Sequence, residues 1–94
     1  MNIIVELEYK DSDYPILAKN QEDLYNKYYQ KKGWIYSKKY EMIYYIVEMD
    51  IIPLEGQRLL TKNGICIVEY SILNIEQNEE TNLLDMSRIV ITSE

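Results

Sequence analysis

Between Met42 and Ile75 the apolar positions recur at a spacing of two, in three runs separated by two corners. Ile43, Tyr45, Val47, Met49 and Ile51 make an unbroken apolar row. Met42, Tyr44, Ile46, Glu48, Asp50 and Ile52 make an alternate row that turns polar toward its end. Side chains two apart share one face of a strand, so this pattern predicts a strand buried on one face and partly covered on the other. Ile52-Pro53-Leu54-Glu55-Gly56 ends it, because proline offers the ladder no N–H and glycine permits a sharp reversal. Asn63-Gly64 is the second corner, since a two-residue hairpin turn needs positive φ at both central positions. That corner pairs Lys62 with Ile65, Leu60 with Ile67, Leu59 with Val68, and Arg58 with Glu69 as a cross-strand ion pair. Leu59, Cys66, Val68, Tyr70 and Ile72 then share the core face, and Arg58, Leu60, Lys62, Ile65, Ile67, Glu69 and Ser71 the other. Residues 42–52, 57–62 and 65–75 read as an antiparallel meander.

The flanking chain supplies the rest of a domain. Ile3, Val5, Leu7 and Tyr9 alternate with Asn2, Ile4, Glu6 and Glu8, which predicts a first strand over 2–9 with one wet face. Asp11-Ser12-Asp13 ends it, Pro15 keeps Tyr14 extended, and Ile16 to Ala18 bridge to the next element. Asn20 is a good N-cap, and Glu22 and Asp23 suit the positive end of a helix dipole. Leu24, Tyr25, Tyr28 and Tyr29 lie on one helical face, and Gly33 stops the helix, giving a span of 21–32. Trp34-Ile35-Tyr36 is a short strand or a lead-in to the strand over 40–52, Glu76 to Asn82 is a polar loop, and residues 86–92 make a closing strand. The fold expected over residues 1–94 is a single α+β domain. It has a mainly antiparallel five-stranded bent sheet, or a small SH3-like barrel, with one helix near 21–32. A flat sheet is the alternative, and it leaves Leu60, Ile65 and Ile67 uncovered unless a second copy hides them. The expected homodimer buries that face or pairs edge strands 2–9 or 86–92 across a two-fold axis.

Composition narrows the chemistry. The 94 residues include one cysteine, Cys66, so an internal disulfide is excluded, which fits a reducing compartment and an expected cytoplasmic location. No apolar run reaches the ~18 residues of a membrane span, and no membrane partner is expected. Histidine is absent, which removes the commonest general base and metal ligand. A single thiol excludes thiolate zinc sites. Glu48 and Asp50 share a strand face, but any solvated strand end has this spacing, and mid-strand Cys66 reads as a packing residue. No catalytic, metal or cofactor site is expected, and the chain does not read as an enzyme.

Charge and aromatics are unevenly placed. Residues 19–40 carry six lysines against Glu22 and Asp23, whereas the whole chain is at −6. Within 25–40, Lys27, Lys31, Lys32, Lys38 and Lys39 interleave with Tyr25, Tyr28, Tyr29, Trp34, Tyr36 and Tyr40. Cations for phosphates and aromatic faces for bases are what single-stranded nucleic acid requires. Tyr25, Lys27, Tyr28, Lys31, Lys32, Trp34, Tyr36, Lys38 and Lys39 are accordingly the candidate binding residues. The plainer account makes the aromatics the helix's core face and the lysines its solvated side. An acidic surface imitating a phosphate array is the converse reading, but a charge of −6 also serves solubility alone. Ten tyrosines and no phenylalanine fit either codon bias or a contact surface.

Residues 51–70, IIPLEGQRLLTKNGICIVEY, resemble a segment of small SH3-like-barrel proteins of phages and bacterial mobile elements. The shared pattern is an apolar residue, proline, two residues and glycine, then a strand, Asn-Gly and a second strand. It specifies turns, not chemistry. The resemblance covers about a fifth of the chain and implies a barrel-like module from a mobile element, with no functional residue carried over. With the missing catalytic groups, it makes a small non-enzymatic protein-binding module the expected function, in the manner of a phage inhibitor of a host enzyme. Single-stranded nucleic-acid binding by residues 25–40 is the alternative.

Overall fold

A computed structural model describes residues 1–8, 18–75 and 83–93. The expectations for residues 9–17 and 76–82 lie outside the described residues. Six strands form one sheet: β1 (Asn2–Leu7), β2 (Ile35–Ser37), β3 (Met42–Glu48), β4 (Arg58–Thr61), β5 (Gly64–Ile72) and β6 (Arg88–Ser93). Their order across the sheet is β2-β3-β1-β6-β5-β4. All neighbours are antiparallel except β1 and β6, which run parallel. The domain is α+β, as its residue pattern implies, but with six strands and not five, because Ile35–Ser37 adds a short strand of its own.

Two topological expectations fail. The meander does not exist: β3 pairs with β1 and β2, and β4 lies at the far edge, four places away. Nor is the sheet a closed barrel, since no hydrogen-bonded ladder joins β3 or β2 to β4 among the described residues. It does curl. Lys62, in the turn after β4, holds its ammonium 5.4 Å from the ring centre of Tyr45 on β3. The bend is built at Val68. Gly56 N–H donates to the Val68 carbonyl and Val68 N–H donates to the Gln57 carbonyl, so two residues face one. Gly56, at φ 85°, supplies the left-handed step that such a bulge requires. On the other side of β5, Val68 faces Ile91 and Tyr70 faces Val90, which leaves Glu69 as an extra residue.

That second bulge changes which side chains are buried. Cys66 and Val68 are in the core as the alternation implies, but beyond Glu69 the strand's faces exchange, and Tyr70 and Ile72 are exposed. A one-residue slip turns every later side chain over. The hairpin register differs also. Thr61 faces Gly64, Leu60 faces Ile65, Leu59 faces Cys66 and Arg58 faces Ile67, not Glu69. Lys62 and Asn63 are the central turn residues, and of the corner only Gly64 has positive φ, at 78°. Thr61 Oγ1 accepts from Asn63 N–H and donates to the Gly64 carbonyl, each at 3.0 Å, which ties this turn. The register moves by an even step, so Leu60 and Ile65 remain on the outer face as expected.

The main core comprises Ile3, Val5 and Leu7 of β1, Ile43 of β3, Cys66 and Val68 of β5, Ile89 and Ile91 of β6, and Trp34. The expected wet face of β1 is wet only at its ends, at Asn2 and Glu8. Ile4 is fully buried and Glu6 half-buried, because β1 is an interior strand between β3 and β6. The same position removes β1 and β6 as dimerisation edges; the edges are β2 and β4.

The helical segment spans 21–32 as expected but holds only one α-helical turn, α1 (Gln21–Leu24), followed by a π turn (Tyr25–Tyr29) and a 3-10 turn (Gln30–Lys32). Asn20 Oδ1 accepts from Asp23 N–H at 2.9 Å, and Asp23 Oδ2 accepts from Lys19 N–H at 3.0 Å, so both sides of the cap are closed. Gly33, at φ 87°, ends it in the left-handed conformation.

Candidate functional site

The basic and aromatic segment is divided between core and solvent. Trp34 is 2 % exposed, edge-on to Tyr45 at 4.7 Å and to Tyr29 at 5.9 Å between ring centres. Its Nε1 is buried without a hydrogen-bond partner among the described residues. The Tyr25 hydroxyl donates to the Trp34 carbonyl at 2.9 Å, and its ring stacks on Tyr36 at 5.5 Å. Burial, with Glu22 and Glu41 nearby, holds the Tyr36 hydroxyl above its ordinary pKa. Of the candidate aromatics, Tyr28 alone is exposed. Lys27 pairs with Asp23 at 3.1 Å, and Lys32 donates to Asn63 Oδ1 at 3.2 Å. Lys31 and Lys38 are exposed, and Lys39, also exposed, lies 5.2 Å from the Tyr40 ring centre. The segment thus fastens β2 to the helix with most of its rings and faces water with most of its lysines. This is the division that helical spacing beside a sheet implies.

A second site lies where the curled sheet brings β3 opposite β4. Between them is an open cleft of about 200 Å³. Its floor is Val5 and Ile89, one wall is Tyr45, Val47 and Met49, and the other is Leu59, Leu60 and Thr61. Both walls end in exposed backbone edges. β2 covers β3 only from Met42 to Tyr44, and the outer edge of β4 meets no strand among the described residues. Polar groups gather at one end. Lys62 holds its ammonium over the Tyr45 ring, and burial holds the Tyr45 hydroxyl above its ordinary pKa, with the Lys62 backbone partly offsetting the shift. Lys32 reaches the same corner through Asn63, whose Nδ2 donates to Ser93 Oγ at 3.1 Å. Glu48 and Asp50, both exposed, stand toward the other end of β3.

Alternation along β3 assigns Tyr45, Val47 and Met49 to a core row, but all three are only half-buried, because the wall opposite them stands off. The cleft joins strands at opposite ends of the sheet order, so no local pattern announces it. The nearest signal is Lys62 in a turn beside Asn63, a charge placed to reach inward. Leu60 is 86 % exposed and Ile65 56 %, directly opposite each other on the outer face. Cys66 is buried 3.3 Å from Thr61 Oγ1, as a packing residue would be. No group of three or more metal-ligating side chains occurs among the described residues. No described helix is long and apolar enough to cross a membrane. No protein family, curated protein or solved structure matches the chain.

Proposed function

We propose that the chain is a non-enzymatic protein-binding module that uses the β4 end of its sheet. The observation that supports this reading is the bare state of that end: Leu60, at 86 % exposure, faces Ile65 across the hairpin on a strand with no further strand beyond it among the described residues. An uncovered edge with large apolar side chains is an aggregation hazard unless a partner covers it. The resemblance over residues 51–70 adds the narrower expectation of a mobile-element inhibitor of a host enzyme, which the identity of the partner checks. Pull-downs from bacterial lysates with the wild type and with Leu60→Lys in parallel test the reading. Recovery of a stoichiometric protein by the wild type, lost in the variant, supports it. Recovery indifferent to Leu60→Lys, or of nothing in any lysate, sinks it. If light scattering finds a dimer that Leu60→Lys dissolves, the face serves self-association instead.

The nucleic-acid reading rests on exposed Lys31, Lys38 and Tyr28. With Trp34 buried and Tyr25 and Tyr36 stacked together, it has fewer free rings to place under bases. Anisotropy with short RNA and DNA oligomers at low salt decides it, since phosphate contacts weaken steeply as salt rises.

A further inference from the structure

Resting on the protein-binding reading, we propose that the cleft between β3 and β4 receives the C-terminal end of a partner protein. The partner's last apolar side chain fills the cleft, and its terminal carboxylate meets Lys62 and the Tyr45 hydroxyl. Three independent features converge on that occupant.

The first is the shape and lining of the cleft. About 200 Å³ of space walled by Val47, Met49 and Leu59 exceeds the ~150 Å³ of an apolar cavity that takes up benzene, so it accommodates one large aliphatic or aromatic side chain. The second is backbone chemistry. The free stretch of β3 beyond Tyr44 and the outer edge of β4 carry N–H and C=O groups with no strand partner among the described residues, and an extended chain satisfies such groups by strand addition. The third is charge. The Lys62 ammonium has no carboxylate partner among the described residues; it rests on the Tyr45 ring, about 3.1 Å from where a Cβ on Gly33 would lie. The Tyr45 ring on which Lys62 rests carries a hydroxyl, a hydrogen-bond donor held protonated by burial. Lys32 adds a second cation at this corner. A carboxylate placed there gains charge-assisted hydrogen bonds, whereas Glu48 and Asp50 repel it from the opposite end.

These positions set the direction of the guest. β4 runs toward Lys62 and β3 runs away from it, so a chain ending at Lys62 lies parallel to β4 and antiparallel to β3. Gly33 matters to the same corner, because a side chain there would push against Lys62.

The test uses the full chain and fluorescein-labelled hexapeptide pools, random except for a fixed last residue, each made as the free acid and as the C-terminal amide. Free-acid pools ending in Val, Leu, Ile, Met or Phe should bind, and pools ending in Asp or Lys should not. Amidation, or Lys62→Gln in the protein, should each weaken binding roughly tenfold or more, the worth of one charge-assisted hydrogen bond. Lys62 is exposed, so Lys62→Gln should lose only its contact with the Tyr45 ring and lower the thermal melt by no more than a few degrees, whereas the amide pools test the charge on an unaltered protein. Equal binding of acids and amides, or binding by no pool, overturns the proposal. Decanoate bound at Lys62 with no peptide bound overturns it as well, and assigns the cleft to a small amphiphile. If a lysate partner is lost with Leu60→Lys but kept with Lys62→Gln, the protein-binding reading stands and the cleft proposal falls.

Discussion

The sheet ends in two short edges that are treated in opposite ways. At one end, three-residue β2 is bound to the helical segment: Tyr36 stacks on Tyr25, Tyr25 bonds the Trp34 carbonyl, and Trp34 is driven into the core. At the other end, four-residue β4 carries Leu60 almost fully in water, with no described strand beyond it. Both edges present the same problem, a strand with no further strand beside it among the described residues. One is solved within the molecule by aromatic cover. The other has no strand over it among the described residues, and under the proposed reading a partner covers it. A concentration of aromatic and basic residues can therefore serve as internal cover, while a plain Arg-Leu-Leu-Thr strand stays exposed at Leu60.

The largest test of this contrast is Trp34→Ala. If the covered edge is part of the core, the change should cost about 3–5 kcal/mol in urea melts, as large aromatic truncations do. A loss below about 1 kcal/mol, ordinary for a surface change, would mean that the aromatic edge is free to bind, and the comparison would collapse.

Glycines at the two ends give the next largest effect. Gly64 at the bare hairpin has φ 78° and open space where a Cβ would stand, so Gly64→Ala should cost backbone strain alone, about 1–2 kcal/mol. Gly33→Ala should cost a similar amount, since the Lys62 ammonium in its way can swing aside, but only Gly33→Ala should also weaken peptide binding at the cleft. Equal binding by both variants would separate the helix end from the cleft.

Titration sharpens the contrast between the sheet's interior and its aromatic edge. Glu6 lies 3.5 Å from Arg88, but burial outweighs that pairing and Glu8 adds to it, so its carboxyl is held above the ordinary 4.5. Folding then favours the protonated form, and the stability it contributes is full below pH 4.5 and lost as pH rises through the raised value. Asp23 runs the other way. Hydrogen bonds from the Lys19 backbone and Lys27 hold it below 3.8, so its contribution is present above pH 3.8 and lost as pH falls through the lowered value. Urea melts across the acid range should show that Glu6→Gln removes the slope just above pH 4.5 and Asp23→Asn the slope below 3.8. An unchanged slope in either variant refutes its half of this account.

The smallest expected effect is on Leu60. Leu60→Ser should change stability by less than about 0.5 kcal/mol, because an exposed side chain gives up little on truncation. A larger loss would show that the bare edge is supported from within after all.

Most elements could be read from residue pattern alone because each rests on local rules. Asn20 and Gly33 bound the helical segment, period-two alternation marks β1, β3 and β5, and Gly56 breaks the chain where expected. Order and register were less legible. Nothing near Ile4 or Arg88 announces that they pair in parallel, since that partnership depends on residues far apart in the chain. The bulge at Glu69 is silent too, and it moves Tyr70 and Ile72 from the assigned core face to the surface. For the candidate site, helical spacing of Tyr25 and Tyr29 is equally good for stacking on bases or on Trp34. Burial decides the matter, and pattern does not report it.

The parallel pairing of β1 with β6 has a consequence for how the chain is made. Among the described residues, β6 is the one strand that joins the group β2-β3-β1 to the hairpin β4-β5. Until residues 88–93 have left the ribosome, the nascent chain can hold at most two half-sheets, each with an inner edge that will later be central. Synthesis at ~5–20 residues per second leaves those edges open for seconds. Closure then awaits a contact between strands more than eighty residues apart, the kind of long-range pairing that folds slowly. A stop codon before Arg88 should yield a chain that collapses onto chaperones, whereas one placed after Ser93 should yield the full sheet.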